Sequence, residues 1–95
     1  MNEINFEWDE NKNQINQKKH GIAFEEALTT FYDDLALVRD DPDHSETEER
    51  FIILGMIRNA RLLVVRHCYR KSDMVIRIIS ARKATQAESK QYYEF

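Results

Sequence analysis

The sequence predicts an α+β fold in one domain over residues 1–95, with an antiparallel sheet, N-terminal helices and a C-terminal helix. The helices are expected on one side of the sheet. Two observations predict this fold. The C-terminal half holds three runs rich in Val, Ile and Leu, joined by short polar connections as in consecutive hairpins. The N-terminal half carries helical signals instead, namely a polar segment that ends at glycine and an apolar stripe with helical spacing.

The first elements are a short strand and a polar helix. Apolar and polar residues alternate over residues 4–8, which is typical of a strand. Asp9 is a suitable N-cap for a helix over residues 10–20, which ends at Gly21. Because that helix contains a single aliphatic residue, Ile15, we expect it to bury little.

A second helix and a second strand complete the N-terminal half. An apolar stripe at i, i+3, i+4 and i+7 predicts a helix of about two and a half turns; its members are Phe24, Ala27, Leu28 and Phe31. Residues 35–39 predict the strand. The acidic stretch 40–49 contains the only proline and predicts a loop.

The C-terminal half predicts a three-strand meander followed by a helix. The strands are expected at residues 51–57, 62–69 and 74–80. Thr85 and Glu88 fit a capping box, which starts a helix running towards Tyr92 and Tyr93. The predicted order is therefore β-α-α-β-β-β-β-α.

Composition excludes several classes of protein. The chain is 42% hydrophobic and 33% charged, which is typical of a globular domain. No apolar run approaches the roughly 18 to 20 residues of a membrane span, and the N-terminus lacks the features of a secretory signal. The single cysteine, Cys68, lies in a predicted strand and is expected to be a buried thiol. Without CxxC, HExxH or a metal-spaced cluster, we expect a cytoplasmic protein with no cofactor and no metal.

Charge is divided unevenly along the chain. Residues 1–49 contain four Lys or Arg and fourteen Asp or Glu, whereas residues 50–95 contain ten and three. The overall net charge of −3 hides this division. A basic half built from β-patterned segments predicts a surface that binds a polyanion such as nucleic acid. We expect the acidic half to stay away from that surface.

Arginines within the predicted strands are the first candidate site residues. Arg66 and Arg77 interrupt runs of Leu, Val and Ile, so each marks a sheet face that is not simply core. Two interpretations remain open: ordinary ion pairs on a solvent face, or a phosphate-binding face. Arg82 and Lys83 precede the last helix, where an anion would also be favoured. Arg58 lies in a turn, where charge is expected for solubility alone.

Groups that could transfer a proton are few. His67 is the only histidine in a predicted strand, and alternation places it on the face opposite Arg66. Tyr92 or Tyr93 could stack on a base or supply a phenol. Packing within the core is the alternative role for all three.

Short motifs follow one another in a defined order along the chain. The N-terminal motifs are FEWD at residues 6–9 with Lys12 and Asn16, KHGI at 19–22 and FEEA at 24–27. The C-terminal motifs are ERF at 49–51, LG at 54–55, LLVV at 62–65 and RIISARKA at 77–84. In this ordered set the chain resembles the BrnT family of toxins. Two positions depart from the family pattern: Ala23 replaces an N-capping Ser or Thr, and Ser89 follows Glu88 where relatives often carry Arg.

This resemblance implies a toxin of a type II toxin–antitoxin system with a RelE-like fold. Such a toxin is a metal-independent endoribonuclease that arrests translation. The implied partners are RNA and a BrnA-like antitoxin, with operator DNA contacted only through the antitoxin and no membrane. A complex of two toxins and two antitoxins is also implied.

For a RelE-like nuclease the expected reaction is attack of a ribose 2′-OH on the adjacent phosphate, which leaves a 2′,3′-cyclic phosphate. The expected catalytic residues are Arg77, Arg82, His67, Lys83 and Tyr92. The expected RNA-binding residues are Arg50, Glu49, Arg66 and Arg58. The alternative is a non-catalytic RNA- or protein-binding module on the same scaffold.

Overall fold

The computed structural model describes residues 4–41 and 48–94 and has the predicted order of elements. The strands are β1 (Asn5–Glu7), β2 (Leu37–Asp40), β3 (Phe51–Ile57), β4 (Arg61–Arg70) and β5 (Val75–Lys83). The helices are α1 (Glu10–His20), α2 (Phe24–Ala27), which continues as a 3₁₀ segment (Leu28–Tyr32), and α3 (Gln86–Tyr93). Most of the predicted loop, residues 42–47, lies outside the described residues.

The five strands form one sheet in the order β1-β5-β4-β3-β2. The predicted meander is confirmed, since β3, β4 and β5 pair antiparallel in sequence. β2 also pairs antiparallel with β3 at one edge. At the other edge β1 is parallel to β5, so the sheet is not antiparallel throughout.

One face of the sheet carries the hydrophobic core. Alternate residues of the three central strands point towards α1 and α2, and they include Ile53, Leu63, Val65, Ile78 and Ala81. Phe24 and Ile22 cover them from the helical side and are almost fully buried. We call this the core face.

α1 attaches to the core face through asparagines rather than aliphatic residues. Asn16 donates from Nδ2 to the carbonyl oxygens of Ile22 and Ala81, at 2.8 and 2.9 Å, and accepts from the Ala81 amide at 3.1 Å. Asn13 and Asn16 are buried, whereas Ile15 is exposed. The expectation that α1 buries little is confirmed, since Asn13 and Asn16 are its only buried residues, and their amide side chains hold the helix against the backbone of Phe24, Ile22 and Ala81.

The second helix is shorter than predicted. It is α-helical only over Phe24–Ala27 and tightens into the 3₁₀ segment. The Asn13 side chain accepts a hydrogen bond from the Phe24 amide at 2.8 Å, so α1 supplies the cap that Ala23 cannot. The 3₁₀ segment lies so close to β3 that a Cβ at Gly55 would come within 3.0 Å of the Thr30 carbonyl oxygen.

α3 lies on the opposite face of the sheet from α1 and α2. Glu88 and Gln91 line a depression with Leu54 and Val64, which alternate with the core-facing residues of β3 and β4. The expectation that all helices lie on one side is therefore wrong. The capping box of Thr85 and Glu88 is confirmed. Among the described residues, no helix is both long and apolar enough to cross a membrane.

Candidate nucleic-acid interface

The sheet face opposite the core gathers six of the eight arginines. Register and alternation place them on one face, separated by other side chains: Arg66 lies between Ile52 and Ser80, while Arg82 lies beside Val64. Arg77 lies beside Cys68 and, on the other side, Glu7. We call this surface the arginine face; its arginines are Arg39, Arg50, Arg66, Arg70, Arg77 and Arg82.

Carboxylates pair with most of these arginines. Arg66 donates to Asp41 at 2.8 Å, and Arg77 donates to Glu7 at 2.9 Å. Glu48 lies 3.1 Å from Arg70 and 3.9 Å from Arg50. All three of these carboxylates come from the acidic N-terminal half. The expectation that this half stays away from the basic sheet is therefore wrong for them.

Arg82 has the most defined pairing. Its Nη1 and Nη2 donate to the two carboxylate oxygens of Glu88 at 2.8 and 2.9 Å, as a two-pronged contact. Glu88 also accepts from the Thr85 amide at 2.8 Å, which ties the ion pair to the start of α3. The Arg82 guanidinium, assisted by Thr85, lowers the pKa of Glu88 to about 2. Both side chains remain about one-third exposed or less, so the pair lies at the surface.

Arg39 differs from the other arginines of this face. It is exposed on the edge strand β2, on the same side as Leu37. No hydrogen bond or ion pair joins its guanidinium to any residue in ranges 4–41 and 48–94. Its positive charge is therefore available to a ligand.

A depression of about 230 Å³ lies between the arginine face and α3. Its floor is aliphatic and comes from three neighbouring strands, through Leu37, Ile52, Leu54 and Val64. Its rim is polar and includes Arg39, Glu88 and Gln91.

His67 does not reach this surface. It is fully buried on the core face, with its ring 4.7 Å from the Phe31 ring, centroid to centroid, and near Phe51 and Tyr69. Its Nδ1 lies 3.1 Å from the Val65 carbonyl oxygen, and its Nε2 has no hydrogen-bond partner among the described residues. Burial lowers the pKa of His67, so the ring is neutral at pH 7. The structure thus separates His67 from the arginines.

Tyr92 is also directed elsewhere. Its hydroxyl donates to Oδ2 of Asp33 at 2.6 Å, and the Met56 amide donates to the same oxygen at 2.8 Å. Burial and the Asp33 carboxylate raise the pKa of Tyr92 to about 12. Burial alone would raise the pKa of Asp33, but its hydrogen bonds from Tyr92, Met56 and Leu35 hold it below the usual value. Tyr92 therefore fixes α3 to the corner between the 3₁₀ segment and β2.

Three further predicted site residues lie away from the arginine face. Lys83 is opposite Leu63, so alternation turns it from Arg82 towards the other side of the sheet. Arg58 is exposed in the turn between β3 and β4, near Thr29. Glu49 lines a recess with Phe51, Tyr69 and Asp73.

The structure therefore unites Arg50, Arg66, Arg77 and Arg82 but not the other predicted residues. It adds Arg39 and Gln91, which sequence reasoning did not select. The sequence signal that could have selected Arg39 is its alternation with Val38 in a predicted strand, which places the two side chains on opposite faces. In the part of the chain that the structure describes, no three His, Cys, Asp or Glu residues form a group that could hold a metal ion.

Comparison with known proteins identifies the family. Residues 8–88 match the family described as the ribonuclease toxin BrnT of type II toxin–antitoxin systems. The chain belongs to the BrnT family. The resemblance in its motifs is thereby confirmed, and a toxin–antitoxin role follows at the level of the family. No curated protein sequence matches the chain.

A solved BrnT structure has the same fold. The crystal structure of the Brucella abortus ribonuclease toxin BrnT, at 1.1 Å resolution, superposes with a TM-score of 0.66. The two chains share 24% identity, and the match covers 88% of this chain and all of the other. At that identity the likeness supports the predicted α+β fold and not the roles of individual residues.

Proposed function

We propose that this BrnT-family protein cleaves RNA on its arginine face, without a metal ion, and thereby arrests translation in the cytoplasm. The observation that carries the proposal is the collection of six arginines on one sheet face of a chain whose net charge is −3. An RNA strand has a phosphate at every nucleotide, and arginine forks match phosphate oxygens.

The proposed reaction is attack of a ribose 2′-OH on the adjacent phosphate. The new bond joins the 2′ oxygen to phosphorus, and the bond to the 5′ oxygen of the next nucleotide breaks. The products are a 2′,3′-cyclic phosphate and a 5′-OH end. Charge builds up on the non-bridging oxygens in the transition state, where fixed cations stabilise it most. We assign this stabilisation to Arg77 and Arg82, with Arg66 and Arg50 binding the strand.

The ion pairs determine how such a strand would bind. Each phosphate must replace a carboxylate such as Glu7 or Glu88, or must bind the outer side of a paired guanidinium. The pairs of Arg77 with Glu7 and of Arg82 with Glu88 lie at the surface, where such pairs contribute only about 0 to 1 kcal/mol each, so exchange there is inexpensive. Asp41 is buried, so Arg66 keeps this partner and offers a phosphate its outer side. Until RNA arrives, the carboxylates hold the guanidiniums in place across the face.

A non-catalytic RNA-binding module is the second candidate, and one observation favours it. Neither the imidazole of His67 nor the phenol of Tyr92 is directed at the arginine face. Glu88, with a pKa of about 2, is a weak base at neutral pH. This alternative predicts RNA binding with ordinary salt dependence and no cleavage products.

We further propose a BrnA-like antitoxin as the partner. An antitoxin segment that covers the arginine face would exclude RNA from it. A complex of two toxins and two antitoxins, repressing its own operon through the antitoxin's DNA-binding domain, completes this proposal.

The direct test is incubation of purified protein with RNA in excess EDTA, followed by analysis of the product ends. We expect cleavage to persist, with cyclic phosphate and 5′-OH ends. Cleavage that is lost in EDTA and restored by a divalent ion would overturn the metal-independent proposal. Binding without products, under conditions where the protein is folded, would favour the second candidate. Co-purified antitoxin should suppress cleavage.

A further inference from the structure

We infer that the depression beneath α3 is a nucleobase pocket, which takes an unpaired purine of the RNA and sets sequence preference. The inference rests on the proposed function, since it supposes that RNA lies on the arginine face. It adds a base-binding subsite to a surface so far assigned only to phosphates.

The depression and the arginines around it match a nucleotide in shape and charge. Three arginines are direct cross-strand neighbours of the aliphatic floor: Arg82 lies beside Val64, while Arg66 and Arg39 flank Ile52. Adjacent strands are about 4.8 Å apart. A ligand that places a flat apolar group on the floor therefore carries its anion onto a guanidinium. A nucleotide has this combination, with its base joined through ribose to phosphate.

The polar rim of the depression offers two side chains to a ligand. Arg39 and Gln91 both line the depression, and neither side chain has a hydrogen-bond or ion-pair partner within the described ranges. Gln91 stands three residues after Glu88 on α3, so the two share one side of the helix. Because Glu88 is held by Arg82 and by the Thr85 amide, this side of α3, with the backbone of Gln91, is anchored over the depression.

Arginine and glutamine side chains both form paired hydrogen bonds with purines. Arginine pairs with O6 and N7 of guanine, and glutamine pairs with N6 and N7 of adenine. Both partners present two adjacent polar groups of a purine. RNA is read in this way where its bases are unpaired and turned outwards. The rim therefore favours a purine over a pyrimidine.

The test measures binding of short 2′-O-methyl RNA strands, which lack the attacking hydroxyl and stay intact. One strand is all pyrimidine except for a single central adenosine or guanosine, and its partner has a cytidine there. We expect the purine strand to bind at least about fivefold more tightly. Gln91→Ala and Arg39→Ala should bring this ratio close to one.

Two matched variants serve as controls. Gln86→Ala changes an exposed glutamine of the same helix, and Lys18→Gln removes one charge from α1 on the other side of the sheet. Both should keep the full purine preference. An equal loss of preference in the controls would overturn the inference.

Failure of the inference is distinguishable from failure of the proposed function. Equal binding of the purine and cytidine strands by a protein that still cleaves natural RNA overturns the pocket alone. Absence of both RNA binding and cleavage overturns both. If Gln91→Ala weakens the antitoxin complex but leaves the purine preference intact, the depression belongs to a protein partner and the inference is wrong.

Discussion

The core face and the arginine face are built from the same three strands but have opposite chemistry. On the core face, Leu63, Val65 and Ile78 are buried under α1 and α2. The next residue along each strand points to the other surface. That surface carries Val64 and Arg66 on β4, and Arg82 lies beside Val64 on β5. A domain of this size has one hydrophobic core. The core face therefore holds the central cluster of buried residues, while the arginine face buries Leu54 and Val64 and leaves its arginines for binding.

The two faces should respond differently to mutation. Substitutions on the core face are expected to lower the free energy of unfolding, and substitutions on the arginine face are expected to lower RNA cleavage and binding.

The largest effect is expected from Phe24→Ala. Phe24 has no exposed surface, and removing a buried phenyl ring costs about 3 to 5 kcal/mol in the free energy of unfolding. Urea denaturation followed by circular dichroism measures the loss. Ile15→Ala, at a side chain that is 62% exposed, is the control and should change stability by less than about 0.5 kcal/mol. Similar losses in both variants would contradict the assignment of the core.

The next effect concerns activity. Replacing both Arg77 and Arg82 by alanine should lower RNA cleavage by about 10²- to 10³-fold, because transition-state charge loses its fixed cations. Arg58→Ala with Lys71→Ala removes the same charge from exposed turns and should leave cleavage near wild type. Growth after induction gives the same comparison in cells. A folded Arg77→Ala, Arg82→Ala protein that still arrests growth would contradict the catalytic role of this face.

A smaller effect is expected in the pH dependence of stability. The folded-state pKa of His67 is lowered by burial, so protons bind the unfolded chain first. The free energy of unfolding is therefore highest above the ordinary histidine pKa of about 6.5, where His67 is neutral in both states. As pH falls below that value, the free energy of unfolding decreases by up to about 1.4 kcal/mol per pH unit. Unfolding titrations between pH 7 and 5 measure the slope. His67→Leu should flatten the slope.

The smallest effect is expected from Glu88→Gln. The amide oxygen can still accept from the Thr85 amide, but the negative charge opposite Arg82 is gone. RNA affinity should rise a few-fold, since Arg82 no longer has a competing carboxylate. Weaker RNA binding would show that Glu88 positions Arg82 rather than competing for it. Stability should fall by about 1 kcal/mol, as for other surface ion pairs.

Local patterns made the central strands predictable from the sequence. The runs at residues 51–57, 62–69 and 74–80 became β3, β4 and β5, with shifts of up to three residues at their ends. Period-two alternation also placed Arg66 and His67 on opposite faces, as the structure has them. The caps at Asp9, Gly21 and Thr85 were predictable because each needs only neighbouring residues.

Contacts between distant segments were not predictable in this way. Asn16 bonds to the backbone of Ala81, 65 residues away, and no local pattern marks an asparagine as an anchor. The same holds for Tyr92, whose partner Asp33 is 59 residues away. The pairing of Asp41 with Arg66 likewise depends on how β2 meets the sheet. Site residues chosen by type alone therefore included His67, which the fold buries.

The central claim is that the arginine face, and not the basic half as a whole, binds RNA. Its most direct test is the salt dependence of binding to a 2′-O-methyl strand. Replacing Arg66, Arg70 and Arg82 by glutamine should make the slope of log K against log salt shallower by about 2, at about 0.7 per phosphate contact for single strands. Replacing Arg58, Lys71 and Lys83 by glutamine removes the same charge from the basic half away from the arginine face and should leave the slope unchanged. Equal changes in the two triple variants would contradict the claim.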